Sequence, residues 1–258
     1  MNYQTIRLSL RGKLAVLTLN RPEVMNALNT QMRAEILHAV KDAEQNARAL
    51  VITGQGGAFC SGQDLGDRAT AGQVDLERTL RDEYEPMLKA IYDCAIPTIS
   101  AVNGAAAGAG ASLALAPDVV IATESAVFLQ AFTRIGLIPD AGGTYWLPRQ
   151  VGFAKAMGAA LFADAISAQQ ASDWGMIYEA VPDAEFGDHW YGRAMKLADG
   201  PTVAFRNVKK ALRASYENSL TDQLTLEAKL QGECGNTRDF KEGIMAFMEK
   251  RPARYEGR

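Results

Sequence analysis

Pro97-Thr98-Ile99-Ser100-Ala101-Val102-Asn103-Gly104-Ala105-Ala106-Ala107-Gly108-Ala109-Gly110-Ala111-Ser112-Leu113-Ala114-Leu115-Ala116-Pro117-Asp118-Val119-Val120-Ile121-Ala122-Thr123 carries the reading of the fold. Pro97–Val102 reads as a buried strand, residues 109–116 as a short apolar helix and Val119–Thr123 as a strand again. The same alternation extends toward the N-terminus. Residues 4–10 alternate, with Ile6, Leu8 and Leu10 on one side, and Leu14–Leu19 is a more buried strand beyond the Gly12-Lys13 turn. Thr30 to Glu44 has Met32, Ile36, Val40 and Ala43 on one helical face, with Asn29 or Thr30 as N-cap. Leu50–Thr53 is a short strand entering the Gly54–Gly57 loop, and Asp75 to Tyr92 has Leu76, Leu80, Tyr84, Leu88 and Ile91 at helical spacing. Strands alternating with helices predict an α/β protein with mainly parallel pairing. From about residue 152 helical periodicity takes over, with helices near 152–162, 167–174, 184–199, 202–218, 221–233 and 239–250. Gly200-Pro201 breaks that run, so the expected division is a core of residues 1–200 and a helical region of residues 201–258.

Composition narrows the function. The chain has 258 residues, 48% hydrophobic and 22% charged, with 27 Lys and Arg against 30 Asp and Glu. A net charge of -3 lacks the basic field that nucleic acid requires. Cys60, Cys94 and Cys234 lie far apart and form no C-x-x-C, which fits a reducing compartment without disulfide or zinc framework. The N-terminus lacks a signal-peptide pattern, and the Ala/Gly-rich stretch Ile99–Ala122 is too poor in Leu, Ile and Phe for a membrane span. The expectation is a cytoplasmic, soluble protein.

Several chemistries lack their residues. His38 lies off the apolar face of its helix and His189 far in sequence from the glycine-rich loops, so a catalytic triad or histidine metal site has little support. There is no P-loop, and Leu113 stands where a dinucleotide fingerprint beginning Gly108-x-Gly110 needs its third glycine. Two loops remain, Gly56–Leu65 and Asn103–Ser112, each following a strand. Two such corners can aim two backbone N–H groups at one oxygen, or can simply allow tight helix–sheet packing. Between Pro97 and Gln150 the acids are Asp118, Glu124 and Asp140. Asp118, after Pro117 at a strand start, and Glu124, at a strand end, read as turn residues. Asp140, among Ile138, Pro139, Ala141 and Gly142, reads either as a proton-abstracting carboxylate in apolar surroundings or as the cap of a helix beginning near Gly143.

Asn20-Arg21-Pro22-Glu23-Val24-Met25-Asn26-Ala27-Leu28-Asn29, Ser61-Gly62-Gln63-Asp64-Leu65, Ala101-Val102-Asn103-Gly104 with Gly108-Ala109-Gly110, and Pro139-Asp140-Ala141-Gly142-Gly143-Thr144 together resemble the crotonase (enoyl-CoA hydratase/isomerase) superfamily, at matching spacing along essentially the whole chain. The resemblance implies a spiral of ββα units with a C-terminal helical trimerisation region, assembled as a homotrimer or dimer of trimers. It implies an acyl-CoA thioester substrate and no cofactor, coenzyme A being part of the substrate. The thioester oxygen would sit on the backbone N–H groups of Gln63 and Ala109. Met25, Ala27, Gly62, Asp64, Leu65, Gly108 and Phe132 would bind CoA or substrate, and Arg21, Arg68 and a neighbouring subunit's Lys250 would meet the phosphates. The two glutamates that add water in hydratases align with Ser112 and Phe132, neither of which can serve as a base. Asp140 stands at the base position of the isomerase branches.

Ala131 to Arg149, Phe59 to Leu65, Trp174-Gly175-Met176-Ile177 and Lys250-Arg251 look like the isomerases of 2-(1,2-epoxy-1,2-dihydrophenyl)acetyl-CoA in phenylacetate catabolism. That implies conversion of the ring epoxide to oxepin-CoA, with Phe132, Trp146 and Leu137 as apolar walls. The rival readings are a general Δ3,Δ2-enoyl-CoA isomerase of fatty-acid oxidation, a haloaromatic acyl-CoA dehalogenase, and a non-catalytic assembly or RNA-binding homologue. Scarce histidine counts against the dehalogenase and the acidic balance against RNA.

Overall fold

A computed structural model describes residues 2–66 and 75–258. Two sheets organise the core. The larger holds β1 (Ile6–Arg11), β2 (Leu14–Leu19), β3 (Ala49–Gly54), β5 (Thr98–Val102), β7 (Val119–Thr123) and β10 (Glu179–Val181), adjacent in that order. Only β1–β2 is antiparallel; every later pairing in this sheet is parallel. Leu14, Leu17, Leu19, Leu50, Val51 and Ile52 are fully buried, as expected of parallel strands covered on both faces. Ile6 is buried, but Leu10 is half exposed, which corrects the alternating reading of β1. β1 is the sheet's edge strand, with β2 on one side only, and its burial falls off toward Leu10 beyond α1 (Thr30–Asn46).

The second sheet contains β4 (Ala58–Cys60), β6 (Ala105–Ala107), β8 (Val127–Leu129) and β9 (Ile166–Ser167). Each strand β3, β5 and β7 turns a corner into a short strand of this sheet, the repeating ββα step of a spiral. Periodicity does not reveal these strands, because a strand of two or three residues cannot display an alternation. Their parallel neighbours reveal them: β4 pairs with β6 and β6 with β8.

Helices cover both faces. The N-cap of α1 is Asn29, whose Oδ1 accepts from the Met32 N–H at 2.8 Å. Residues 76–93 form one helical run in three parts: α2 (Leu76–Thr79), a π turn (Leu80–Tyr84) and α3 (Glu85–Asp93). Then come α4 (Ala109–Ala114), α5 (Gly143–Phe162, broken at Gly152, φ 75°), α6 (Ala168–Asp173) and α7 (Phe186–Ala198). Phe186, Ala194 and Ala198 of α7 close a second core against Leu14, Val16, Val51, Ile99 and Ile121.

Beyond Gly200-Pro201 lie α8 (Thr202–Ala214), α9 (Leu220–Gly235) and α10 (Arg238–Glu249). Charge fastens them to the core. Lys209 Nζ meets Asp118 Oδ2 at 2.8 Å and donates to the carbonyls of Cys94 and Ile96; Arg213 Nη2 meets Asp118 Oδ1 at 2.7 Å. Asp118 therefore does more than end a loop. Asp118→Asn leaves two poorly hydrated cations without their counter-charge and is expected to cost about 3 kcal/mol, read as a lower urea midpoint. An unchanged midpoint would mean that this cluster does not fasten α8. Leu212, Leu224, Phe240, Ile244, Phe247 and Met248 of α8–α10 are exposed, and Leu224, Phe240, Ile244 and Phe247 line an open cleft between these helices. Among the described residues no helix is long and apolar enough to cross a membrane.

Candidate active site

Strands β4 and β6 are parallel neighbours, so the corners that follow them, Ser61–Asp64 and Gly108–Gly110, lie side by side. Backbone packs on backbone there. A Cβ on Gly110 would stand 2.2 Å from the Cys60 carbonyl oxygen, and one on Gly104 would stand 2.2 Å from that of Gly57. Only hydrogen fits at either position. A Cβ on Gly62 would be 3.3 Å from the Ala109 nitrogen, which measures how close the two corners come.

The direction of the N–H groups follows from the ladder. Leu28 forms a parallel bridge with Gln63: its N–H donates to the Gly62 carbonyl at 2.7 Å, and its carbonyl accepts from the Asp64 N–H at 3.1 Å. Those bonds use one side of the strand, so the N–H of Gln63 itself points to the other, away from Leu28. Ala109 is the first residue of α4, where no preceding turn offers its N–H a carbonyl. The glycines that permit this tight packing also bring the Ala109 nitrogen close to the Ser61–Asp64 corner.

These corners open on a cavity of about 300 Å³. Gly62, Gln63, Gly108, Ala109 and Asp140 line one part of it; Leu65, Leu76, Leu80, Phe132, Ile135 and Leu137 supply most of the apolar remainder. Asp140 is the one acid among the described lining residues. The helix-cap alternative fails for Asp140: the N-cap of α5 is Gly142, at φ 83°, which has no side chain to offer. Asp140 instead gives its backbone carbonyl to the Gly143 N–H (2.8 Å) and the Ser112 hydroxyl (2.9 Å). Ala141 follows at φ 50°, a left-handed conformation that a non-glycine residue adopts at a cost. Ser112, fully buried, fixes the loop through this bond.

Other expected residues lie elsewhere. Met25 is exposed and Ala27 buried on the approach loop, neither on the cavity wall. Met25 and Asn26 both have positive φ. The Asn26 side chain sustains that turn, accepting from the Arg21 N–H and donating to the carbonyls of Gln55 and Ala58. Arg21 is engaged within the chain: Nη1 lies 2.7 Å from Asp64 Oδ2 and donates to the Ala27 carbonyl. It and Asp64 therefore brace the loop. Lys250 ends α10 at φ 52°, outside this cavity, and Arg68 lies outside the described residues. Trp146 does not line the cavity as a wall; α5 turns its ring onto Tyr92 and Tyr145, with centroids at 5.2 and 4.8 Å. His38 is exposed against Tyr3, and His189 pairs with Glu179.

Sequence reasoning missed the wall formed by Leu76, Leu80 and Tyr84. Their spacing was legible, but a helical stripe facing a cavity looks the same as one facing a core. It also missed Arg33, which is 2% exposed. The signal was a charge at position 33, in helical phase with Ile36 and Val40. Cys60 is buried, and burial pushes its thiol up to about 12, so it is no nucleophile.

The sequence profile of the "Enoyl-CoA hydratase/isomerase" family matches residues 10–258. The chain belongs to the enoyl-CoA hydratase/isomerase family. It is 62% identical over 258 residues to a "Probable enoyl-CoA hydratase" of Rhodobacter capsulatus, covering 100% of both chains. It is 43% identical over 247 residues to the "1,2-epoxyphenylacetyl-CoA isomerase" of Escherichia coli, covering 94% of each. Among solved structures, the enoyl-CoA hydratase from Bacillus anthracis matches with a TM-score of 0.92 at 31% identity, over 99% of this chain and 100% of that one. The spiral of this enoyl-CoA hydratase/isomerase family member, with its two strand-to-loop corners and the Pro139–Thr144 loop, is thus the family's fold.

Proposed function

We propose that this family member is an isomerase of acyl-CoA thioesters, acting on the ring epoxide of phenylacetyl-CoA and on 3-enoyl-CoA. The observation that carries the reading is Asp140, the one carboxylate among the described lining residues of a cavity whose described wall is otherwise mostly apolar and which also receives Gln63 and Ala109. Water addition uses two carboxyl groups, one to activate water and one to protonate carbon. By the family resemblance Ser112 stands at one such position, its hydroxyl donating to the Asp140 carbonyl, and Phe132, on the cavity wall, stands at the other. One carboxylate is sufficient to move a proton.

In the proposed reaction the thioester oxygen accepts the N–H groups of Gln63 and Ala109. The Asp140 carboxylate takes a proton from the carbon beside the thioester, and the electron pair becomes an enolate held by those donors. For a 3-enoyl-CoA the pair returns through the double bond, C2=C3 forms, and Asp140 delivers its proton to C4. For the ring epoxide the C–C bond shared by ring and epoxide breaks as the ring expands, the electron pair from the lost α-proton forms a double bond to the ring carbon that bears oxygen, and Asp140 returns its proton to the next ring carbon; the product is an isomer, with every atom retained. Phe132, Leu137 and Leu80 keep bulk water from the enolate. No cofactor enters either step. The apolar face of α8–α10 is the surface by which we propose the chain forms a homotrimer or dimer of trimers.

The relative named as a hydratase makes water addition the competing reading. The test sets three substrates against one enzyme: the epoxide generated in situ, a 3-enoyl-CoA and a 2-enoyl-CoA. The epoxide is expected to have the highest kcat/KM, with hydration slower than isomerisation by roughly 10²–10⁴. Turnover of the 3-enoyl-CoA alone would make the protein a fatty-acyl isomerase. Efficient hydration would remove the isomerase reading.

A further inference from the structure

We propose that Arg33 is a positioning residue for catalysis, one that fixes the peptide of Gln63 in the geometry of the oxyanion site; the proposal rests on the reading of Gln63 and Ala109 as that site. Arg33 is buried on α1, and burying a cation is expensive unless its donors are used. Its Nη1 donates to Gln63 Oε1 at 2.9 Å and to the Leu28 carbonyl at 2.8 Å. Nε donates to Glu83 Oε2 at 2.9 Å, and Nη2 donates to the same oxygen and to Thr30 Oγ1. The guanidinium also lies 4.7 Å from the centre of the Tyr84 ring.

The guanidinium therefore holds Gln63 twice, once by its side chain and once through Leu28, the residue whose backbone bridges it. Tyr84 makes a third hold: its hydroxyl donates to Gln63 Oε1 at 2.7 Å. Burial pushes the Tyr84 phenol well above its ordinary value, against the pull of the Arg33 charge, so it remains a donor. At its other end, Gln63 Nε2 donates to the Asp64 carbonyl at 3.0 Å. With both ends of the side chain and both flanking peptide groups bonded, rotation of the Gln63 peptide requires several of these bonds to break. Glu83 and Tyr84 belong to the π turn that forms part of the cavity wall, so the same cation joins the oxyanion corner to the wall that holds the acyl group. A buried ion pair adds little stability over a well-packed apolar cluster. What it adds here is direction.

The readout is the carbonyl stretch of phenylacetyl-CoA carrying ¹³C at the thioester, measured by isotope-edited infrared difference in the complex, beside kcat and KM for a 3-enoyl-CoA. In wild type the stretch is expected to move to lower frequency on binding. Arg33→Met should shrink that displacement and lower kcat by about 10- to 100-fold with KM within about threefold, since a misaligned donor weakens the transition state more than the ground state. Arg33→Lys should recover part of both, because it keeps the charge but cannot serve Gln63, Leu28 and Glu83 together. Should Arg33→Met fail to fold, Tyr84→Phe removes one donor to Gln63 while keeping the ring; it should reduce the displacement and kcat in the same sense. A displacement present in wild type and unchanged in the folded variants, with unchanged kcat, overturns the role of Arg33 alone. No displacement in wild type overturns the oxyanion reading and this proposal together.

Discussion

Asp140→Asn is expected to leave the fold and acyl-CoA affinity intact and to lower kcat for isomerisation by roughly 10²–10⁴. The size of the loss follows from the proposed chemistry. An amide cannot take a proton from carbon, and among the described lining residues no other carboxylate is available to substitute. The intact fold follows from geometry. The loop is held through the backbone carbonyl of residue 140, by Ser112 and Gly143, and by the left-handed residues Ala141 and Gly142. None of these depends on the carboxylate being charged. The measurement is the rise of the conjugated thioester's absorbance from a 3-enoyl-CoA, with a melting curve and binding of a saturated acyl-CoA as controls. A variant with full activity would remove Asp140 as the base and favour the non-catalytic rival. A variant that loses binding along with rate would make it a substrate contact.

Gly110→Ala is the other large effect. The added methyl would lie 2.2 Å from the Cys60 carbonyl oxygen and 2.8 Å from the Cys60 Cβ, so the backbone of one corner must move. No side-chain rotation relieves this contact, because the obstructing oxygen belongs to β4 itself. The expected cost is about 3 kcal/mol or more, a fall in Tm of roughly 6–12 °C for a chain of this size. The same displacement separates the peptide groups of Gln63 and Ala109. A shift near 1 Å in a catalytic donor costs about 10²-fold in rate, so kcat should fall even in the folded fraction at low temperature. If Tm falls while kcat per folded molecule is unchanged, the corners are packing elements only and the oxyanion reading fails. If neither changes, the closeness of the corners has been overstated.

Much of this was readable beforehand for a physical reason. Strands β2, β3, β5 and β7 are buried on both faces, so their apolar runs stand out against the loops. The N-cap at Asn29 and the stripe of α1 are local properties, fixed within a few residues. Asp140 was legible because a carboxylate amid Ile, Pro, Ala and Gly is conspicuous, though sequence left it between base and cap. Gly142 decided against the cap by occupying that position in a left-handed conformation.

What the sequence determined alone is therefore local: the alternation of strand and helix, the small residues at two corners, and an acid amid apolar neighbours; that Ser112 and Phe132 stand where hydratases have paired glutamates is what the family resemblance implies. The tertiary structure decided everything that depends on which segments become neighbours. It set β4 beside β6, so that two unremarkable Ala/Gly corners converge. It committed Arg21 to Asp64 and turned Trp146 away from the cavity. It brought Arg33, Gln63 and Glu83 from three distant segments onto one guanidinium. Hydrophobic periodicity records only whether a side chain is buried. Which partner it is buried against is set by the register and packing of the whole chain, and no window of sequence contains that.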